Sequence, residues 1–126
     1  GGMQRRQRLY YWHGASGHAG VFATSAALVR LCQFYMTTQK PVFLRAMAEN
    51  VCGRGLGFDK SAVFPDGCGH SGFTGTSLWL SREHHIGAVI LTNKYFRSQG
   101  EPPGTSNEFR RDVHYALLGR TPPASV

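Results

Sequence analysis

Apolar positions recur along this chain in distinct rhythms, and each predicts a different element. Leu28, Leu31, Cys32 and Tyr35 fall at i, i+3, i+4 and i+7, a single stripe at helical spacing. With Thr24 or Ser25 as cap, residues 25–36 are predicted to form an amphipathic helix. A second helix is predicted to open at Pro41, where a missing N–H costs nothing. It should turn Leu44, Met47 and Val51 inward, with Met47 as core filler, and end at Gly53. Arg54 to Asp59 reads as a short strand with glycines for close approach, and Pro65-Asp66-Gly67 as a turn. From Cys68 the chain is punctuated by Gly69, Gly72 and Gly75, then runs into a strand through Leu78, Trp79 and Leu80. Ser81 to His85 is polar and of hairpin length, with His84 and His85 expected to face solvent. Ile86 to Asn93 is nearly all apolar, which predicts a strand buried on both faces. Thr105-Ser106-Asn107-Glu108 has the form of a capping box. The helix it opens is predicted to turn Phe109, Val113, Ala116 and Leu117 inward.

The resulting order is helix, helix, short strand, long hairpin, helix. It specifies an α+β fold in which an antiparallel sheet is covered by helices. A two-stranded hairpin with one helix makes a thin sheet and leaves an apolar face open. The chain is therefore expected to be part of a larger domain, and its start at Gly1-Gly2-Met3 fits a piece cut from something longer.

Composition narrows the function classes. The chain has 126 residues, 41% hydrophobic and 17% charged, a globular composition with material for one core and no membrane-length apolar run. Net charge is +7, and Arg5, Arg6 and Arg8 cluster near the start. No zinc-finger, helix-turn-helix or RNA-recognition pattern accompanies that cluster, so a solvated loop is expected and nucleic acid is not an expected partner. Cys32, Cys52 and Cys68 are odd in number and widely spaced, which argues against a disulfide framework. Cys68 stands two residues from His70, but no second ligand pair lies at metal spacing, so neither metal nor cofactor is expected. His18, among small residues, reads as a structural histidine.

The chemistry is concentrated at His70-Ser71-Gly72-Phe73-Thr74. Glycines at a strand entrance let a ligand or another backbone come close. There an ionisable ring, a hydroxyl and an exposed peptide edge stand side by side, suited to gripping a carbonyl or carboxylate. A Ser71–His70 dyad is disfavoured, because neighbours in a strand point to opposite faces.

His70-Ser71-Gly72 followed by a strand, a short turn, a second strand ending Leu91-Thr92-Asn93-Lys94 and a last helix resembles the end of a serine β-lactamase or penicillin-binding-protein domain. The likeness is to the class C-like branch, with its D,D-peptidases and esterases. Ser16 to Thr24 resembles the Gly-His-Ala-Gly-Leu-Phe-Ser-Thr of that branch, and Gly55-Leu56-Gly57-Phe58 its Gly-Leu-Gly-Trp strand. The resemblance runs from about Gly14 to Leu118. It implies that residues 1–126 are a partial β-lactamase-like domain, the C-terminal portion of a D,D-peptidase/transpeptidase-like fold, with 1–15 and 119–126 loose. It implies that His70 and Ser71 hold a substrate carboxylate and assist proton transfer. Gly72 and Thr74 would line the same edge, and the Phe73 N–H would give half of an oxyanion hole. Histidine in the first position, where the family often has lysine, should make binding depend on pH near neutrality.

The departures are as informative. No serine here has lysine three residues on, and no tyrosine has asparagine two residues on, so the family's Ser-x-x-Lys and Tyr-x-Asn are both missing. The implied activity is acyl transfer on an amide or ester (a β-lactam, a D-Ala-D-Ala peptide or an ester). The nucleophile would come from the missing N-terminal part of the same domain, and this chain alone is expected to be inactive. The alternative is a non-catalytic binding module derived from the same fold. The resemblance alone suggests a periplasmic or cell-envelope location.

Overall fold

The computed structural model describes residues 21–93 and 106–124. The arginine cluster, Leu9 to Trp12, His18, Lys94 and Thr105 lie outside the described residues. Helix α1 (Ser25–Thr37) begins where the Thr24 Oγ1 accepts the Ala27 N–H at 3.2 Å. Its predicted stripe is partly right: Cys32 is buried and Leu28 and Tyr35 are half-buried, whereas Leu31 is largely exposed. At its far end Arg82 donates to the Tyr35 and Thr38 carbonyls, both at 3.0 Å, satisfying acceptors that the helix leaves open.

Helix α2 (Pro41–Ala48) stops earlier than the apolar spacing predicts. Val51 and Arg54 exchange both backbone hydrogen bonds, at 2.8 and 3.1 Å, across Cys52 and Gly53, which both have positive φ. This tight turn pulls Val51 out of the helix and leaves it exposed, while Met47 is buried as expected. Residues 54–59 form isolated bridges rather than a strand. The last of them, between Asp59 and Gly69 (2.7 and 2.9 Å), lays this segment along the sheet margin.

The stretch read as one strand entrance is two strands folded back on each other. Strands β1 (Cys68–Ser71), β2 (Ser77–Ser81) and β3 (Ile86–Ile90) form an antiparallel sheet in the order β1-β2-β3. Register pairs Cys68 with Leu80, His70 with Leu78 and Ser71 with Ser77, so β2 is central and β1 carries the margin.

Both faces of β2 are covered, which corrects the thin, half-open sheet expected from the pattern. On one face Leu80 and Cys68 pack with Cys32 of α1 and Met47 of α2. On the other, Trp79 packs with Val63 and Phe64 from the preceding loop, and with His114 of helix α3 (Ser106–Leu117). Strand β3 pairs only with β2 among the described residues. It is half-exposed along most of its length and ends at Ile90, so the prediction of burial on both faces fails there.

Helix α3 is rotated from its predicted setting. Arg110, Arg111 and His114 are the buried residues, whereas Phe109 and Leu117 are about half exposed. Apolar spacing chose the wrong face because polar partners on the sheet decide this contact. The Ser77 hydroxyl lies 3.2 Å from His114, and the Gly72 carbonyl accepts from Arg110. A buried polar group left without a partner costs more than an apolar residue left at the surface.

Candidate active site

His70 lies near the end of β1, exposed, on the sheet face it shares with Leu78. Its Nδ1 sits 2.9 Å from the Ser71 carbonyl oxygen. A carbonyl can only accept, so Nδ1 carries the proton, and Nε2 is the ring atom that can meet a ligand. Ser71 points to the other face, opposite Ser77, and is half-buried. The two side chains therefore straddle the strand and do not form a dyad.

Beyond Ser71 the backbone turns at once. The Gly75 N–H donates to the Gly72 carbonyl at 3.1 Å, closing a β-turn, and the Gly72 N–H donates to Thr76 at 2.7 Å. Gly75 has φ 112°, a conformation a side chain would strain. A Cβ on Gly72 would collide with the Thr76 hydroxyl. The turn requires glycine at 75, and at 72 a side chain would have to displace the Thr76 hydroxyl. Phe73 stands at its tip with its side chain 76% exposed, and Thr74 follows, half-buried. Thr92 Oγ1 donates to the Gly75 carbonyl at 2.8 Å, bracing the turn from the far side of β3.

A residue that the pattern assigned no role braces it from below. Arg110 is 3% exposed and donates from Nη2 to the Gly72 carbonyl at 2.6 Å and from Nη1 to Asn107 Oδ1 at 2.8 Å. Burial lowers its pKa from the ordinary arginine value. The cue available in the sequence was Asn107 three residues before Arg110, a helical i, i+3 pair.

Two Ser–His contacts occur elsewhere among the described residues, and neither is suited to nucleophilic catalysis. Ser77 Oγ lies 3.2 Å from His114 Nε2, while His114 Nδ1 donates to the Val63 carbonyl at 3.1 Å. Both side chains are buried beneath Trp79 and Phe64, with no access for a substrate. Burial, above all, lowers the pKa of His114. The Val63 hydrogen bond opposes this, and Arg110 adds to it. At the opposite end of the sheet His84 Nδ1 contacts both Asp66 Oδ2 (2.6 Å) and Ser81 Oγ (3.1 Å). Serine and carboxylate on one nitrogen cannot act as a relay, which needs them on opposite sides of the ring. His84 also meets Arg120 at 3.3 Å, so it is half-buried and held rather than solvent-facing as predicted.

Cys68 does not join His70 as a metal pair. It is buried, and burial pushes its thiol up to about 11, with Lys60 pulling weakly the other way. Asp66, Glu83 and His84 bring three donor atoms within 4.8 Å of one another, and His84 and Asp66 already contact each other at 2.6 Å. A cavity of about 370 Å³ opens over Cys68, Leu80, Leu44 and Met47, away from Phe73 and Thr74. Among the described residues, no helix is long and apolar enough to cross a membrane.

Residues 1–109 match the family model described as Beta-lactamase. The chain belongs to the Beta-lactamase family. Membership implies a fold related to the serine hydrolases, and it covers the β1–β3 sheet and the turn at Gly72–Gly75. No curated protein and no solved structure matches the chain.

Proposed function

We propose that His70 to Thr74 form the substrate-holding edge of a serine acyl-transfer site acting on an amide or ester. The substrate class is a β-lactam, a D-Ala-D-Ala peptide or a related ester. His70 holds the substrate carboxylate from one face of the strand margin and the Ser71 hydroxyl lines that margin from the other, Gly72 lets the substrate approach the backbone, and the Phe73 N–H supplies half of the oxyanion hole. The nucleophile and its base come from outside these 126 residues, since neither Ser-x-x-Lys nor Tyr-x-Asn occurs in them. The observation that carries this reading is the exposed histidine on a sheet margin that ends in a glycine turn, in a chain of this family. A fixed N–H aimed at a developing oxyanion is worth about 3 kcal/mol of barrier.

The missing nucleophile also favours a second reading, a binding module that holds the same ligands without turning them over. The 126-residue chain separates these ideas from their rivals in two measurements. It should give no covalent label with a fluorescent penicillin. Titration with N-acetyl-D-alanyl-D-alanine should move the amide resonances of residues 70–74 ahead of all others. Covalent labelling would show a nucleophile within the chain, and an unmoved 70–74 segment would remove both readings.

A further inference from the structure

Arg110 is a costly residue to bury. No described carboxylate lies within ion-pair distance of it, its Nε is buried without a partner, and its remaining contacts are the neutral oxygens of Asn107 and Gly72. A cation in the interior without a counter-charge is unfavourable unless its hydrogen bonds are strong. The bond to Gly72 is of that kind, charge-assisted and short at 2.6 Å. The same carbonyl also accepts the Gly75 N–H, so it has two donors.

We infer that Arg110 is a positioning residue for the oxyanion-binding peptide, its guanidinium fixing and polarising the Gly72–Phe73 amide through the Gly72 carbonyl. Every described peptide is trans, so the Phe73 N–H points away from the carbonyl that Arg110 grips. Clamping the oxygen from the α3 side therefore sets the direction of the N–H on the other side. Drawing electron density toward a doubly bonded carbonyl oxygen makes the attached N–H a stronger donor, as in any chain of hydrogen bonds. Asn107, one turn earlier on α3, holds the other arm of the guanidinium and keeps the plane of the fork in place. Arg110 touches no substrate in this scheme and acts only through the peptide. The inference rests on the reading of His70 to Thr74 as a substrate edge.

The test uses the 126-residue chain, with N-acetyl-D-alanyl-D-alanine as probe and NMR as readout. Arg110→Gln should shift the Gly72 carbonyl carbon and Phe73 amide nitrogen and weaken probe binding about five- to tenfold, a hydrogen-bond-sized loss. Arg110→Lys should restore part of both, and Asn107→Ala should fall between wild type and Arg110→Gln. An unchanged Trp79 Nε1 resonance marks an intact fold. If Arg110→Gln folds and leaves the Gly72 and Phe73 resonances and the affinity at wild-type values, the inference is wrong. If that variant does not fold, Asn107→Ala decides by the same two readouts. His70→Gln separates the two claims, because it should abolish probe binding while leaving the Gly72 carbonyl resonance in place. A wild-type chain that gives no probe response at 70–74 removes the substrate-edge reading and with it any role for Arg110 in binding. A normal wild-type response with an indifferent Arg110→Gln removes the Arg110 inference alone.

Discussion

Replacing His114 by phenylalanine should remove a pH dependence of folding built into the contact between α3 and the sheet. The imidazole is fully buried, stacked 5.2 Å from Phe64 and tilted against Trp79 at 5.4 Å, and bonded at both nitrogens. Val63 can only accept, so the folded state holds the neutral ring with its proton on Nδ1 and with Nε2 accepting from the Ser77 hydroxyl. Burial lowers the pKa of His114 below the ordinary histidine value of 6.5. Below that value the unfolded chain binds a proton that the folded chain refuses, so stability falls as pH falls. Above it the contribution is present in full. For one such proton, the loss between pH 7.5 and 5.5 is up to about 1.4 kcal/mol. In His114→Phe the ring stack survives, but the Ser77 hydroxyl and the Val63 carbonyl lose their partner. At about 1–3 kcal/mol for each unsatisfied buried group, the variant should be about 2–6 kcal/mol less stable at pH 7.5. Urea denaturation of both proteins at pH 7.5 and 5.5 reads the four stabilities. The gap between wild type and variant should narrow by about 1 kcal/mol at the lower pH. Other titrating groups cancel in that difference. A gap that stays constant, or widens in acid, would refute the neutral buried imidazole.

Three further outcomes are expected. Gly72→Ala should destabilise the chain by about 1–3 kcal/mol, because a Cβ there meets the Thr76 hydroxyl inside a closed turn; a melting curve like wild type would show that the turn can open. A thiol-reactive dye at pH 7.5 should, of Cys32, Cys52 and Cys68, label only the exposed Cys52 rapidly, since burial raises the pKa of the other two; peptide mapping that finds Cys68 labelled as fast would contradict its burial. Trp79→Phe should cost about 1–3 kcal/mol by losing indole packing and the hydrogen bond from Nε1 to the Asp66 carbonyl at 2.8 Å; chemical denaturation measures it, and a neutral change would mean that this contact does not hold the loop to the sheet.

Features with local causes could be read from the order of residues. Thr24 caps α1, Pro41 opens α2, and the apolar and aromatic run Leu78, Trp79 and Leu80 makes a strand, because each rests on residues a few positions apart. The family was legible for the same reason, since its motifs are short and ordered along the chain. The tertiary structure alone decided where partners distant in the chain meet. Which face of α3 turns inward depended on Ser77, Val63 and the Gly72 carbonyl, oxygens 37 to 51 residues away, against the direction of its own apolar stripe. Arg110, the buried cation behind the glycine turn, showed in the sequence only as the i, i+3 partner of Asn107: spacing reports amphipathicity, whereas the satisfaction of buried polar groups depends on long-range neighbours. His84, placed in solvent by its turn, was claimed by Asp66 and Arg120. Local propensity needs only neighbours in sequence, but hydrogen-bond pairing inside a core needs neighbours in space.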